Sequence, residues 1–216
     1  LITVLIVDDH ELVRAGICSL LSTVNGIKVI GEAASGEEAI KLTREKHPNV
    51  ILMDVRMPGI GGLEATRKLI RAEPDTKIIA LTVCGEEPFP SKLLQAGAAG
   101  YLTKGSGLDE MVQAIHSVFH GKRYISPEVA QQLALKSLSD EKDSPFEALS
   151  EREMQVMLMI TGGQKVQEIS DKLCLSPKTV NSYRYRLFEK LNVHSDVELT
   201  HLAIRHHILD TEINNA

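Results

Sequence analysis

Long hydrophobic runs are missing from this 216-residue chain. No apolar stretch is long enough to cross a bilayer, and no basic start followed by an apolar segment marks a secretory signal, so the expected location is the cytoplasm. Cysteine is scarce, and Cys18, Cys84 and Cys174 stand far apart. Such spacing suits neither a disulfide framework nor a zinc site; buried small hydrophobes are the expected role for all three. The chain shows no internal repeat and no low-complexity tract. A basic excess is missing too: the formal net charge is −5, which taken as an average argues against a nucleic-acid partner.

What remains is the composition of a soluble globular protein, 43% hydrophobic and 25% charged, with enough length for two domains that each bury a core. Within the acidic average lies one basic island. Lys165, Lys172, Lys178, Arg184, Arg186 and Lys190 face only Glu168, Asp171 and Glu189.

Five short β-rich runs alternate with five helical patterns over the first 120 or so residues. The runs are Ile2–Val7, Lys28–Glu32, Val50–Met53, Lys77–Thr82 and Gly100–Thr103. Helical spacing of apolar residues follows each, as at Leu12, Val13, Ile17, Leu20 and Leu21. Such alternation predicts a doubly wound, five-stranded parallel sheet with right-handed crossovers. Ser35 with Glu38 predicts a capping box at the start of the second helix. Beyond His120 the pattern changes. The α/β pattern over 1–121 gives way to a connector over 122–146 with one short helix, Pro127–Leu138; its polar segment Ser139–Pro145 marks the boundary. Residues 147–216 read as all helical, with segments at Glu151–Ile160, Val166–Leu173, Pro177–Leu191 and Val197–His207.

The chemistry concentrates at strand ends. Val50–Met53 is too short for a helix and rich in branched side chains, so Asp54 belongs at a strand's carboxyl end, where open parallel sheets bind ligands. Taken alone, Asp54 before Pro58-Gly59 reads equally as a turn residue. Asp8 and Asp9 end another strand, and if the first and third strands are neighbours, three carboxylates crowd one pocket. Their repulsion calls for a proton or a cation, and an all-oxygen donor set favours a hard ion such as Mg²⁺. Thr82 and Lys104 bring a hydroxyl and an ammonium to the same edge. Together these groups suit transfer of a phosphoryl group onto a carboxylate.

Val7-Asp8-Asp9, Met53-Asp54-Val55-Arg56-Met57-Pro58-Gly59, Leu81-Thr82 and Tyr101-Leu102-Thr103-Lys104, in that order, resemble the receiver domain of two-component response regulators, a flavodoxin-like fold. The resemblance implies that Asp54 is the phosphoacceptor and that Asp8, Asp9, Asp54 and the backbone carbonyl of Arg56 hold Mg²⁺. It further implies that Lys104 contacts the phosphoryl group, that Thr82 bonds it on activation, and that Tyr101 turns inward when Thr82 moves. An ordinary half-buried strand residue is the competing reading for Tyr101. Two departures stand out: Gly105 follows Lys104 where many receivers have Pro, and Gly61-Gly62-Leu63 replaces a polar residue before Gly-Leu. Both predict a looser loop and a different lifetime for the phosphorylated form.

In the last segment, Val166–Leu173, the turn Cys174-Leu175-Ser176-Pro177 and the helix onward from Lys178 read as helix-turn-helix. Ser176 caps, and Pro177 sits in the first turn. Val180, Tyr183, Leu187 and Leu191 form a stripe expected to be buried; Lys178, Asn181, Ser182, Arg184 and Tyr185 are expected to point away from it. Leu149-Ser150-Glu151-Arg152-Glu153, Glu168-Ile169-Ser170, Lys178-Thr179-Val180 and Lys190-Leu191-Asn192-Val193 resemble the LuxR-type DNA-binding domain of the NarL/FixJ subfamily. With the stretch 86–101, the whole chain resembles a response regulator of this subfamily. That resemblance carries recognition onto Lys178, Thr179, Asn181, Ser182 and Arg184, with Tyr185 and Arg186 against the DNA backbone. The modest positive charge predicts weak binding by a monomer and a homodimer on a two-fold site, for which Leu199, Leu202, Ala203 and Ile204 offer a candidate face. A sensor histidine kinase or its phosphotransfer domain, double-stranded promoter DNA and RNA polymerase are the implied partners, and genes for small regulatory RNAs the implied output.

Two other classes compete. A phosphatase with Asp54 as nucleophile needs a second carboxylate two residues on, where this chain has Arg56. A protein-interaction module would dock its helical domain on RNA polymerase without touching DNA.

Overall fold

The computed structural model describes residues 1–82, 89–138, 145–206 and 208–209. Cys84, the start of the 86–101 stretch, most of the polar boundary segment 139–145 and the predicted helix end at His207 lie outside them. The described residues group into two compact units, divided between 138 and 145.

The first unit runs β1 (Ile2–Val7), α1 (Glu11–Ser22), β2 (Ile27–Ala33), α2 (Gly36–Lys46), β3 (Val50–Asp54), α3 (Gly61–Ala72), β4 (Lys77–Thr82), α4 (Phe89–Gln95), β5 (Gly100–Thr103), α5 (Leu108–Phe119), β6 (Tyr124–Ile125) and α6 (Pro127–Leu138). The strands pair in the order β2-β1-β3-β4-β5-β6, all parallel. Among the described residues the sheet therefore has six strands where five were expected. Two residues are too few to show a period, so β6 was invisible in the pattern. It lies within the span read as connector, and Ser126 extends the pairing by donating its amide to the Tyr101 carbonyl at 3.0 Å.

β3 lies between β1 and β4, which explains its unbroken apolar run: both its faces are covered. Val50 and Leu52 join Ile2, Val4 and Ile6 beneath residues of α1 and α5, including Ile17, Leu21, Met111 and Ile115. Ile51 and Met53 join Leu5 and Val7 on the opposite face, against Ala39 of α2 and Ala65 and Leu69 of α3. Each fully buried branched side chain contributes roughly 1.5–3 kcal/mol, and the alternation forbids a one-residue slip in register. That register sets the site. Val7 pairs with Met53, so Asp8 and Asp54 emerge side by side; Asp54 pairs with Leu81, and Thr82 with Thr103, so Thr82 and Lys104 follow at the same edge.

The second unit holds a short 3-10 turn (Pro145–Ala148) and α7 (Glu151–Thr161), α8 (Val166–Leu173), α9 (Pro177–Leu191) and α10 (Asp196–Arg205). Phe146, Met154, Met157, Ile169, Val180, Leu187, Leu199 and Ala203 are fully buried in its core. The expected capping box is present: Ser150 Oγ accepts the Glu153 amide, and Glu153 Oε2 accepts the Ser150 amide. Lys190 Nζ lies 2.7 Å from the same carboxylate and donates to the Ala148 carbonyl, tying α9 to the entrance of α7. Burial works against the Glu153 charge, but these bonds outweigh it and hold its pKa below the ordinary value. Cys174 ends α8 in the left-handed region at φ 53°, making the tight turn into α9. Ser176 caps α9 by accepting the Thr179 amide at 3.0 Å, with Pro177 behind it.

Candidate functional site

Asp8, on the residue after β1, is fully buried; Asp54, the last residue of β3, is 1% exposed. Lys104 spans them. Its Nζ lies 2.8 Å from Asp8 Oδ2 and 2.9 Å from Asp54 Oδ2, although neither contact has directed hydrogen-bond geometry. The Arg56 amide donates to the other Asp54 oxygen at 3.2 Å, placing the Arg56 peptide beside the carboxylate. Asp9, half-buried, stands next to Asp8.

Burial dominates the electrostatics of Asp54. Desolvation raises its pKa to about 6; Lys104 pulls it down and Asp8 pushes it up. Burial also disfavours the Lys104 ammonium, yet the neighbouring Asp54 and Asp8 outweigh it and hold the amine above its ordinary value. The pocket therefore carries more negative charge than one lysine neutralises.

Ligand atoms of Asp8, Asp9, His10 and Asp54 all lie within 4.8 Å of one another. Apart from the close Lys104 and His10 nitrogens, the oxygens Asp8 Oδ2, Asp9 Oδ1 and Asp54 Oδ2 have no hydrogen-bond partner among the described residues, so the donor set fits a hard divalent cation. Sequence reasoning missed His10, whose Nδ1 sits 3.2 Å from Asp8 Oδ1 and 2.9 Å from Asp9 Oδ1. It also missed Arg14, which donates from α1 to the Asp8 carbonyl at 2.7 Å. Adjacency to the Asp pair was the available signal for His10; Arg14 lies about one helical turn farther on and gave none.

Thr82 and Tyr101 are joined by a 2.8 Å hydrogen bond between their hydroxyls. At 1% exposure Tyr101 is buried, not half-buried. Of the two glycines after Asp54, Gly62 is closely fitted to the backbone. Gly62 packs so tightly that a Cβ there would collide with the Asp54 carbonyl oxygen, and its amide bonds the Val55 carbonyl at 3.1 Å. The absent side chain permits this close approach.

On α9 the buried stripe consists of Val180, Leu187 and Leu191, with Tyr183 half-buried. Lys178, Ser182, Tyr185 and Arg186 are exposed, while Thr179 and Asn181 are partly covered. Thr179 spends its hydroxyl on Ser176 Oγ at 2.8 Å, and Ser182 donates to the Lys178 carbonyl. Arg184 departs from the outward orientation expected for it. Its guanidinium makes two 2.7 Å hydrogen bonds to the Asp196 carboxylate and lies over the Phe188 ring. A planar donor fork matches a carboxylate better than water does, and Asp196, in the first turn of α10, lies within its reach. Arg184→Ala is therefore expected to lower the stability of the helical unit by about 1 kcal/mol, read as a lower midpoint in urea. Tyr185→Ala, at a side chain 68% exposed, is expected to leave that midpoint in place and weaken DNA binding. Leu199 and Ala203, offered as part of a dimer face, are buried in the unit's own core; Leu202 and Ile204 are half-covered.

Two family models match: the response regulator receiver domain over residues 4–116 and the luxR family of bacterial regulatory proteins over residues 147–203. The chain is 66% identical to the response regulator GacA of Pseudomonas protegens, covering 99% of this chain and 100% of that one. It is 62% identical to the response regulator UvrY of Escherichia coli K12, covering 98% of each. Among solved structures, RcsB from Salmonella enterica serovar Typhimurium, bound to promoter rprA in the presence of phosphomimetic BeF3-, is similar. It aligns with a TM-score of 0.73 at 25% identity over 94% of this chain and 98% of that one.

Proposed function

Because this chain belongs to the two-component response regulators, with a receiver domain and a LuxR-type DNA-binding domain, we propose that Asp54 is its phosphoacceptor and that α9 is its DNA-reading helix. The observation that carries the first assignment is the buried Asp54 carboxylate facing Lys104 and Asp8 at the carboxyl edge of the sheet.

Asp54 attacks the phosphorus of a phosphohistidine on a sensor histidine kinase or its phosphotransfer domain. A P–N bond breaks and an acyl phosphate forms on one carboxylate oxygen. Lys104 neutralises the phosphoryl oxygens from the Asp54 side and the Thr82 hydroxyl donates a hydrogen bond to them. Asp8, Asp9, Asp54 and the Arg56 carbonyl would hold Mg²⁺, which when bound would offset charge on the transferring group. The buried, inward Tyr101 records the position of Thr82. Arg56 stands where a hydrolase of related chemistry needs its second carboxylate, so the phosphoryl group is stored as a signal and the protein is a regulator without turnover catalysis.

On the helical unit, Lys178, Ser182, Tyr185 and Arg186 supply the exposed face of α9, with Thr179 and Asn181 at its edge. We assign Arg184 to orienting α10 through Asp196. The phosphorylated protein acts in the cytoplasm as a homodimer on promoter DNA and contacts RNA polymerase there. The rival role of a purely protein-docking module leaves the exposed basic and aromatic ridge of α9 without a purpose.

Incubation with acetyl phosphate and Mg²⁺ tests the first assignment. Intact-mass measurement is expected to show one phosphoryl group per chain, and peptide mapping after borohydride trapping to place it on Asp54. Label on any other carboxylate would overturn the assignment.

A further inference from the structure

The loop from Val55 to Ile60 links the phosphoacceptor to α3, and its far end is held by a residue of α2. Glu37 Oε1 accepts the amide of Ile60 at 3.1 Å. Gly59 adopts φ 83°, and a Cβ there would lie 2.6 and 2.7 Å from the two Glu37 carboxylate oxygens, so that carboxylate fills the space beside the turn. Gly36 meets the same loop: its Cβ would stand 2.8 Å from Ile60 Cγ1 and 3.1 Å from the Gly61 carbonyl oxygen. The first two residues of α2 are thus fitted against the segment that follows Asp54.

Glu37 is not needed to cap its own helix. Ser35 Oγ accepts the Glu38 amide at 3.2 Å, and Glu38 Oε2 reaches back to the Ala34 amide at 2.8 Å. Nor does Glu37, an exposed residue, contribute to the core. Its carboxylate instead meets the loop, at the Ile60 amide and beside Gly59.

We infer that Glu37 is a positioning residue for the cation site, fixing through Ile60 the loop that presents the Arg56 carbonyl. This rests on the reading of Asp8, Asp9, Asp54 and Arg56 as the Mg²⁺ site. A hydrogen bond to a charged acceptor sets the backbone geometry before the ion arrives, so the ion does not bear the cost of ordering the loop.

Calorimetric titration of the full-length protein with Mg²⁺ tests it, using Glu37→Ala, Glu37→Gln and, as a control on the site, Asp9→Asn. Glu37→Ala is expected to weaken Mg²⁺ binding about tenfold, the equivalent of one such bond. Glu37→Gln, whose amide oxygen still accepts from Ile60, is expected to stay within about threefold of the parent. In acetyl phosphate assays Glu37→Ala should raise the Mg²⁺ concentration for half-maximal phosphorylation and leave the rate at saturating Mg²⁺ unchanged. Equal affinity in Glu37→Ala and the parent, or equal loss in Ala and Gln variants, overturns the proposal. Undiminished Mg²⁺ binding by Asp9→Asn overturns the site reading itself, and this inference with it.

Discussion

Asp54→Asn is expected to lower phosphoryl acceptance from acetyl phosphate by about a thousandfold or more, since it removes the attacking oxygen and not a contact around it. Asn keeps an oxygen for the Arg56 amide and preserves the volume at the end of β3, so the fold around it stays intact. Phosphate-dependent tightening on DNA is expected to vanish with it. Coupling between two sites in one protein is typically worth about 1–3 kcal/mol, so the parent should gain about tenfold or more in affinity on phosphorylation and Asp54→Asn nothing. Mass measurement and DNA titration on the same preparations check both parts.

The same substitution is expected to make the protein more stable. Desolvation sets the folded pKa of Asp54 at about 6 against an ordinary 3.8. Below about pH 4 the carboxyl is protonated in both the folded and unfolded chain and contributes nothing. As pH rises from about 4 to about 6 the unfolded chain releases its proton first, so stability falls; above that the full penalty remains, about 3 kcal/mol from the size of the shift. In chelating buffer at neutral pH, Asp54→Asn should therefore unfold at higher urea concentration than the parent, by about 2–3 kcal/mol. The gain should shrink steadily as pH falls towards 4. Adding Mg²⁺ should stabilise the parent more than the variant, because only the parent carries the third carboxylate. An equal or lower midpoint for Asp54→Asn in chelator would mean that Lys104 already compensates the buried charge.

The acidic pocket was legible in the sequence because its groups end strands. Asp8, Asp54, Thr82 and Lys104 each follow an apolar run, and parallel pairing in register brings such ends to one edge without further information. The helix-turn-helix was legible for a similar reason: Ser176 and Pro177 mark the start of α9 and an apolar stripe marks its inner face. What escaped depended on contacts between elements. Arg184 reads as a solvent-facing arginine until α10 delivers Asp196 to it. Glu37 reads as one of two acidic residues opening a helix until the loop after Asp54 arrives beneath it. The Gly61-Gly62 pair suggested slackness from composition; only the approach of the Asp54 carbonyl shows why no side chain fits. β6 is two residues long and is defined by its partner β5 alone.

The dimer face illustrates the same limit. A stripe of Leu199 and Ala203 has one apolar signature whether it packs inside the domain or against a second copy, and here the domain core takes both.

The central claim is that charge placed on Asp54 controls promoter binding. Its most direct test is titration of a promoter fragment, selected by the phosphorylated protein from random DNA, with parent and Asp54→Asn proteins, each with and without acetyl phosphate and Mg²⁺. The account predicts that acetyl phosphate tightens the parent about tenfold or more and leaves Asp54→Asn unchanged. Equal tightening of both proteins, or of neither, would contradict it.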